Sequence, residues 1–126
     1  MLKDYKSYKF SFEKLEVYQK AIEFANEIFE KTLKFKKELQ FSLGDQFRRA
    51  TLSICNNIAE GSDKQSKNSK IRFYAYALDS ARECVPMITL AKEQRQIEET
   101  ISEDLRDKCV HICNMLTKLI CSVKKH

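Results

Sequence analysis

The sequence predicts an all-α fold, an antiparallel up-down-up-down bundle of four helices. Its 126 residues include one proline and two glycines, too few for the turns of a β protein. Apolar residues recur at helical spacing along four long segments, and the connections between these segments are short, which favours antiparallel neighbours. We expect one domain over residues 1–126, with residues 1–11 as a flexible N-terminal arm.

Each helix is delimited by its apolar stripe and by capping signals. The predicted ranges are 12–34, 42–60, 66–95 and 100–123. Gly61 is expected to end the second helix as a C-terminal cap. Ser62-x-x-Gln65 and Thr100-x-x-Glu103 have the pattern of capping boxes for the third and fourth helices.

The third helix carries unusually many apolar residues. They form two neighbouring stripes that together span roughly 220°, about twice the arc that an outer helix of a monomeric bundle needs. In the second helix, Leu52, Cys55 and Ala59 also lie away from the main stripe. We therefore expect a homo-oligomer, the alternative being a compact monomer with a few exposed apolar residues. Pro86, inside the third helix, predicts either a kink or a break.

Composition indicates a cytoplasmic protein without membrane contact. The cysteine count of five is odd, and all five cysteines fit the helical pattern, as small core residues do in a reducing compartment. Residues 1–9 are interrupted by charge too often for a signal peptide, and the longest uncharged run, 50–59, is far shorter than the roughly 20 residues of a membrane span. Cys109 and Cys113 share a helix face from which His111 points away, so we expect no metal and no cofactor.

The second helix has polar residues in unusual places. Asn57 lies at the edge of the apolar stripe, so its amide is expected to find hydrogen-bond partners inside the fold. Glu60 lies in the last turn, where the helix dipole disfavours an anion, and is expected to pair with a cation on an adjacent helix. For Arg49 we favour an ion pair or a subunit contact over phosphate binding.

These residues carry a resemblance to the four-helix-bundle family of 23S rRNA intervening-sequence proteins. The second helix fits that family's Gln-Leu-Arg-Arg-Ala, Ser-Ile and Asn-Ile-Ala-Glu-Gly pattern, residues 12–21 are similar to its first-helix opening, and Ala77, Ser80 and Glu83 fit its third helix. The chain differs in having Tyr18 where Trp is usual and Asp79 where Gly is common. The polar and motif residues to which we assign a structural role are Gln46, Arg48, Arg49, Ser53, Asn57, Glu60, Gly61, Ser80 and Glu83.

The resemblance, which covers residues 12–95, implies a ring of bundles, a pentamer, without known catalytic activity. Some members are encoded inside intervening sequences of rRNA genes. A related branch comprises the accessory proteins of diversity-generating retroelements, which bind a reverse transcriptase and nucleic acid. Lys36, where Pro often follows Phe, and Pro86 depart from the pattern and leave the subfamily open.

Charge is distributed unevenly between the two ends of the predicted bundle. Residues 1–16, 60–72 and 118–126, here called the basic pole, contain eleven Lys and Arg against five Asp and Glu. Residues 30–45 and 92–108, the opposite pole, contain eight against nine. The net charge of +5 therefore comes from one end, which can hold phosphates and release counterions.

The basic pole is the predicted nucleic-acid interface. The residues expected to bind first are Lys64, Lys67, Lys70 and Arg72, supported by Lys3, Lys6, Lys9, Lys124 and Lys125. Tyr5, Tyr8 and Phe10 alternate with the N-terminal lysines and are candidates for stacking on bases. The alternative is that these lysines only solvate frayed termini. No feature indicates sequence-specific binding.

Catalysis is disfavoured. The two histidines, His111 and His126, have no Glu three residues before them, as a di-iron bundle requires, and no glycine loop or nucleophile-base pair is evident. Two non-enzymatic classes remain: a scaffold that binds structured RNA, and a protein-interaction ring that serves as an accessory subunit of a reverse transcriptase.

Overall fold

Four long helices make up most of the computed structural model, which describes residues 7–126. Their bounds are Glu16–Thr32 (α1), Asp45–Asp63 (α2), Lys67–Glu93 (α3) and Glu99–Lys125 (α4). A 3-10 turn at Ser11–Lys14 precedes α1, and a helical turn at Lys37–Leu39 followed by a π turn at Gln40–Gly44 leads into α2. The described residues contain no strand, and the prediction of an all-α protein with four helices is confirmed.

The helices are arranged as an antiparallel bundle around one apolar core. Contacts are most extensive between α2 and α3 and between α3 and α4, whereas α1 packs closely on α2 and only thinly on α4. Large side chains with essentially no exposure come from α1, α2 and α4: Phe24, Ile28, Phe47, Ile54, Ile58, Leu105, Ile112 and Leu116. Along α3 the core positions are mostly small, which lets its two neighbours approach it closely.

Most of the wide apolar arc of α3 is covered within the chain, although Tyr76 remains 47% exposed. Tyr74, Ala81 and Ile88 are buried, and Leu78 and Val85 on the flank are partly buried against the core. Because α3 packs against both α2 and α4, it needs a broader apolar surface than a helix with one neighbour. The arc therefore gives no independent support for an oligomer.

Pro86 does not break the third helix. α3 is continuous from Lys67 to Glu93, and Pro86 is exposed on its outer side. Proline removes one backbone donor from the helix, and its ring needs extra space. On the exposed side of α3 no neighbouring helix of the described chain packs against the ring, so α3 accommodates Pro86 without a break. Of the two outcomes left open by the sequence, the break is excluded.

Gly61 is not the cap of the second helix, contrary to the prediction. α2 continues to Asp63, no glycine in the described chain has a positive φ, and Gly61 is buried. A Cβ built on Gly61 would lie 2.7 Å from Cε1 of Tyr74 on α3. The glycine is therefore required for close approach of two helices rather than for a left-handed backbone.

The predicted capping boxes are also wrong. Ser66, not Ser62, is the N-cap of α3, since its backbone is extended and its Oγ accepts from the Ser69 amide at 3.1 Å. Ser62 still belongs to α2. The N-cap of α4 is Glu98, which makes no side-chain capping bond, so Thr100 lies inside the first turn. A capping box is a local pattern, and here α2 continues through Ser62 while α4 begins one residue before Thr100.

Candidate nucleic-acid interface

The antiparallel register of α3 and α4 brings their charged ends together at the basic pole. The Cys109 thiol donates to the Ala81 carbonyl at 3.0 Å, which fixes these two residues side by side. Lys67 lies fourteen residues before Ala81 on α3, and Val123 lies fourteen residues after Cys109 on α4. Because both helices rise by the same distance per residue, Lys67 and Val123 reach the same end of the bundle. Lys67, Lys124 and Lys125 are all exposed and therefore share one end of the bundle.

Lys64, Arg72 and Phe73 form a compact cationic group at the start of α3. Lys64 Nζ lies 5.0 Å from the centroid of the Phe73 ring, and the Arg72 guanidinium carbon lies 5.5 Å from it. Cations this close to an aromatic ring are attracted by its quadrupole, so Phe73 helps to hold both side chains. The sequence gives no signal for this arrangement, because Phe73 fits the apolar spacing of the third helix like its other apolar residues.

Glu60 finds its cation in the chain just after α2 and not on an adjacent helix. Its Oε2 lies 3.3 Å from Lys64 Nζ, and both side chains are exposed. The predicted inter-helix partner is therefore wrong, and an exposed i,i+4 pair of this kind contributes little to stability. The pair does lower the net positive charge that Lys64 presents at the pole.

Lys70 has a structural partner that sequence analysis did not anticipate. Its Nζ donates to the carbonyl of Ser62 at 2.9 Å and to that of Gly61 at 3.4 Å. These carbonyls belong to the last turn of α2, where the Gly61 carbonyl also accepts from the Lys64 backbone amide at 3.3 Å. Lys70 therefore closes the end of α2, and Lys67 and Arg72 are the more available cations of the original four.

The remaining predicted residues lie at the chain ends. Lys9 is exposed, whereas Lys3, Lys6 and Tyr5 fall outside the described residues. Aromatic rings continue from the arm into α1: centroid distances are 5.2 Å from Tyr8 to Phe10, 5.7 Å from Phe10 to Phe12 and 5.1 Å from Phe12 to Tyr18. Tyr8 and Phe10 are about half exposed and offer edges or faces for stacking.

The polar residues of the motif link α2 to α3. Ser53 Oγ and Ser80 Oγ share a hydrogen bond of 2.8 Å across the two helices. Asn57 Nδ2 donates to Ser53 Oγ at 3.0 Å and to the Ser53 carbonyl at 2.9 Å. The half-buried Asn57 amide thus has partners, as expected, but it reaches the neighbouring helix only through Ser53.

The two arginines of the motif have different roles. Arg48 Nη2 donates to the Gln40 carbonyl at 3.0 Å, which ties α2 back to the π turn before it. Arg49 Nε donates to Asp45 Oδ2 at 2.9 Å, an exposed ion pair within α2. Gln40 is a residue that sequence reasoning missed: its Nε2 donates to the carbonyls of Thr32 and Phe35, each at 2.8 Å. Gln40 lies in the turn before α2, outside the apolar spacing of the long helices, so the sequence gives no signal for this role.

An open groove between α2 and α3 contains several polar residues of the motif. The groove has a volume of about 340 Å³ and is lined by Gln46, Arg49, Ala50, Ser53, Ser80, Glu83 and Met87. The groove lies along the middle of the bundle, away from the basic pole.

A second ionic cluster joins α1 to α4. Lys108 Nζ lies 2.8 Å from Glu27 Oε1 and 2.9 Å from Asp104 Oδ2, and these bonds raise the pKa of Lys108. The adjacent groove, about 480 Å³ in volume, includes the exposed His111, whereas Cys109 is buried in the core. Within residues 7–126, no group of three or more His, Cys, Asp or Glu side chains is arranged to hold a metal ion.

Comparison with known proteins identifies the family. The model described as 23S rRNA-intervening sequence protein matches residues 13–118. The chain belongs to this family. A solved structure with the same fold is that of a protein of unknown function from the S23 ribosomal protein family of Bacteroides thetaiotaomicron, with 27% identity and a TM-score of 0.76. The match covers 82% of this chain and 94% of that one.

No curated protein matches this chain. Its helices, as far as the structure describes them, are not long and apolar enough for any to cross a membrane. The family match confirms the resemblance carried by the second helix.

Proposed function

We propose that this protein is a non-catalytic, self-associating four-helix bundle that binds structured RNA through its basic pole. The observation that carries the proposal is the concentration of exposed cations where α3 begins and α4 ends, among them Lys67, Arg72, Lys124 and Lys125. Binding of this kind recognises the phosphate backbone and is independent of sequence. Exposed Tyr8 and Phe10 add positions at which unpaired bases can stack.

The test is a titration of the full chain with a fluorescent RNA hairpin across salt concentrations. The logarithm of the association constant is expected to fall linearly with the logarithm of the salt concentration, with a slope of roughly −0.7 to −0.9 per phosphate contact. Negligible binding at low salt would eliminate the RNA scaffold. The protein-interaction ring with a reverse transcriptase partner would then be the remaining candidate.

A matched pair of variants separates the basic pole from net charge. Lys67→Gln with Lys125→Gln removes two exposed cations at the basic pole, and Lys34→Gln with Lys37→Gln removes two at the opposite pole. Both proteins have the same formal charge. We expect the first to lower affinity and reduce the salt slope by up to about 2, and the second to have little effect. Equal losses would contradict a localised interface.

Self-association into a pentameric ring is the second part of the proposal. It is supported by an apolar groove of about 410 Å³ on the outer side of α1 and α2, where Ile22 is 37% and Leu52 is 47% exposed. Sedimentation velocity of the wild type is expected to show one species larger than a monomer. Leu52→Lys should dissociate it, whereas Val110→Lys, at a residue of α4 with 41% exposure, should not. A monomeric wild type would overturn this part alone.

A further inference from the structure

An exposed aromatic side chain lies next to the cationic group at the start of α3. Tyr76 is 47% exposed, and its ring stands perpendicular to the Phe73 ring, with the two centroids 5.7 Å apart. Phe73 is also the ring that Lys64 and Arg72 approach, to 5.0 Å and 5.5 Å. Two rings and two cations therefore form one patch, here called the Tyr76 patch, which begins at the basic pole and continues along α3.

The packing of α3 on α2 holds the Tyr76 patch in place. Phe73 is half-buried, and its Cβ lies 3.3 Å from the ideal Cβ position on Gly61 of α2. Tyr74 and Ala77, which follow Phe73 and Tyr76 in the chain, are buried in the core, so the helix presents both rings in a fixed direction. A surface that the fold already holds loses little conformational freedom when a ligand binds.

Arg72 is the cation of the patch that is best placed to bind a phosphate. Its side chain is exposed, and within residues 7–126 no carboxylate forms an ion pair with it, whereas Lys64 pairs with Glu60 at 3.3 Å. Arg72 and Tyr76 are four residues apart on α3 and are therefore neighbours on one helix face. The planar set of N–H donors of a guanidinium suits bidentate binding of phosphate oxygens.

The exposed ring beside this arginine has the properties of a stacking surface. An edge-to-face contact with Phe73 covers at most one face of the Tyr76 ring, so the other is open to a second planar group. Every nucleobase has such a planar face, and the bases of a continuous duplex are stacked on each other and do not offer it. A phosphate site and a stacking site one helical turn apart match the two parts of one unpaired nucleotide.

We propose that the Tyr76 patch binds an unpaired nucleotide of an RNA strand, with its base stacked on Tyr76 and its phosphate on Arg72. Such a site presupposes the proposed function, on which the proposal rests, and makes the protein prefer RNA with unpaired nucleotides over a continuous duplex. Asp79, three residues beyond Tyr76, is exposed and repels a phosphate, so the phosphate lies on the Arg72 side of the ring.

Three RNAs separate this site from phosphate binding in general. They are a blunt duplex, the same duplex with one strand extended beyond both ends, and a longer blunt duplex with as many phosphates as the extended RNA. We expect the extended RNA to bind about tenfold more tightly than either blunt duplex. Equal binding of the extended RNA and the longer duplex would overturn this proposal alone. Absence of binding by all three at low salt would overturn the proposed function together with it.

A matched pair of alanine variants assigns the preference to Tyr76. Tyr76→Ala should bind the extended RNA no better than the longer blunt duplex, while its affinity for both blunt duplexes stays that of the wild type. Phe41→Ala removes a ring that is 90% exposed at the opposite pole and should keep the preference. A preference that survives in Tyr76→Ala would overturn the proposal.

Tryptophan fluorescence reports on the stacked base directly. The chain contains no tryptophan, so Tyr76→Trp and Phe41→Trp each introduce a single fluorophore. Stacking on a base quenches tryptophan emission, and we expect the extended RNA to quench Tyr76→Trp but not Phe41→Trp. Bound RNA without this quenching would overturn the proposal. Emission of Tyr76→Trp that changes with protein concentration in the absence of RNA would assign the patch to a contact between copies and would also overturn it.

A second matched pair tests the phosphate. Arg72→Gln removes the exposed arginine of the patch, and Arg106→Gln removes an exposed arginine of the opposite pole. We expect Arg72→Gln to weaken binding of the extended RNA more than that of the blunt duplexes and to reduce its salt slope by about 1, with little change in Arg106→Gln. Equal salt slopes in the two variants would overturn the assignment of the phosphate to Arg72.

Discussion

Gly61 of α2 and Tyr74 of α3 approach each other so closely that a methyl group on the glycine would overlap the tyrosine ring. The ideal Cβ position lies 2.7 Å from Tyr74 Cε1 and 2.8 Å from Cδ1. Tyr74 is buried, and burial raises the pKa of its hydroxyl. The contact fixes the crossing of α2 and α3 beside the basic pole, next to the carbonyls to which Lys70 donates.

Gly61→Ala should therefore destabilise the protein although alanine is the better helix former. Alanine gains about 1 kcal/mol of helix propensity, but overpacking against a buried ring costs about 1–3 kcal/mol, so we expect a net loss in the free energy of unfolding. Urea denaturation measures it. The loss should be smaller when the same change is made in Tyr74→Leu, and an equal loss in both backgrounds would show that the ring is not the cause.

Arg49→Ala and Asn57→Leu should disturb assembly more than RNA affinity. Both residues lie on α2, the helix that carries Leu52 of the proposed assembly groove, and Asn57 helps to hold α2 against α3 through Ser53 and Ser80, whereas the proposed RNA interface lies at the end of the bundle. Sedimentation velocity and the hairpin titration, run on the same preparations, compare the two effects. An unchanged oligomer in both variants would count against the prediction.

Lys108→Met should loosen the thin contact between α1 and α4. The Lys108 bridge to Glu27 joins the two helices at 2.8 Å, but Lys108 is half exposed, so we expect a loss of less than about 1 kcal/mol at neutral pH. Because its pKa is raised in the folded protein, the bridge contributes fully below the ordinary value of 10.5 and is lost as the pH rises above it. Urea denaturation across pH should show wild type and Lys108→Met converging in alkali.

Cys84 predicts a second alkaline effect. Its thiol ionises near 9.0 in the unfolded chain but only near 12 in the fold, because burial disfavours the thiolate. The folded pKa is the higher one, so its contribution is intact below pH 9.0 and is lost as the pH rises towards 12. Between pH 9 and about 10, the wild type should lose about 1 kcal/mol more stability than Cys84→Ala. Parallel curves would contradict a protonated buried thiol.

Much of the fold was accessible from local pattern. The four helices follow from apolar spacing, and the second helix alone was enough to indicate the family, because its unusual polar residues occur in a specific order. The ends of the helices were less predictable. Ser62-x-x-Gln65 satisfies a capping pattern, yet α2 runs through Ser62 because Lys70 supplies donors to its last carbonyls.

The total charge of the basic pole could be predicted from the sequence, but the contacts of its individual lysines could not. The charged residues at each end can be counted from the sequence once the four helices are located along the chain, because an antiparallel arrangement determines which helix ends meet. Which lysines are available cannot be counted in this way. Lys70 donates to a backbone carbonyl of α2 that only folding brings near, and Lys64 pairs with Glu60 four residues before it. Nor does periodicity indicate that Phe73 lies between two cations.

The sequence by itself determined the all-α class, the number of helices, the family and the excess of positive charge at one end. These properties depend on spacing and composition, which are local. Only the tertiary structure decided that Gly61 is a point of close approach to Tyr74, that Lys70 reaches back to the end of α2, and that α3 stays continuous through Pro86. The first two depend on a side chain that arrives from another helix, and helical periodicity does not contain that information.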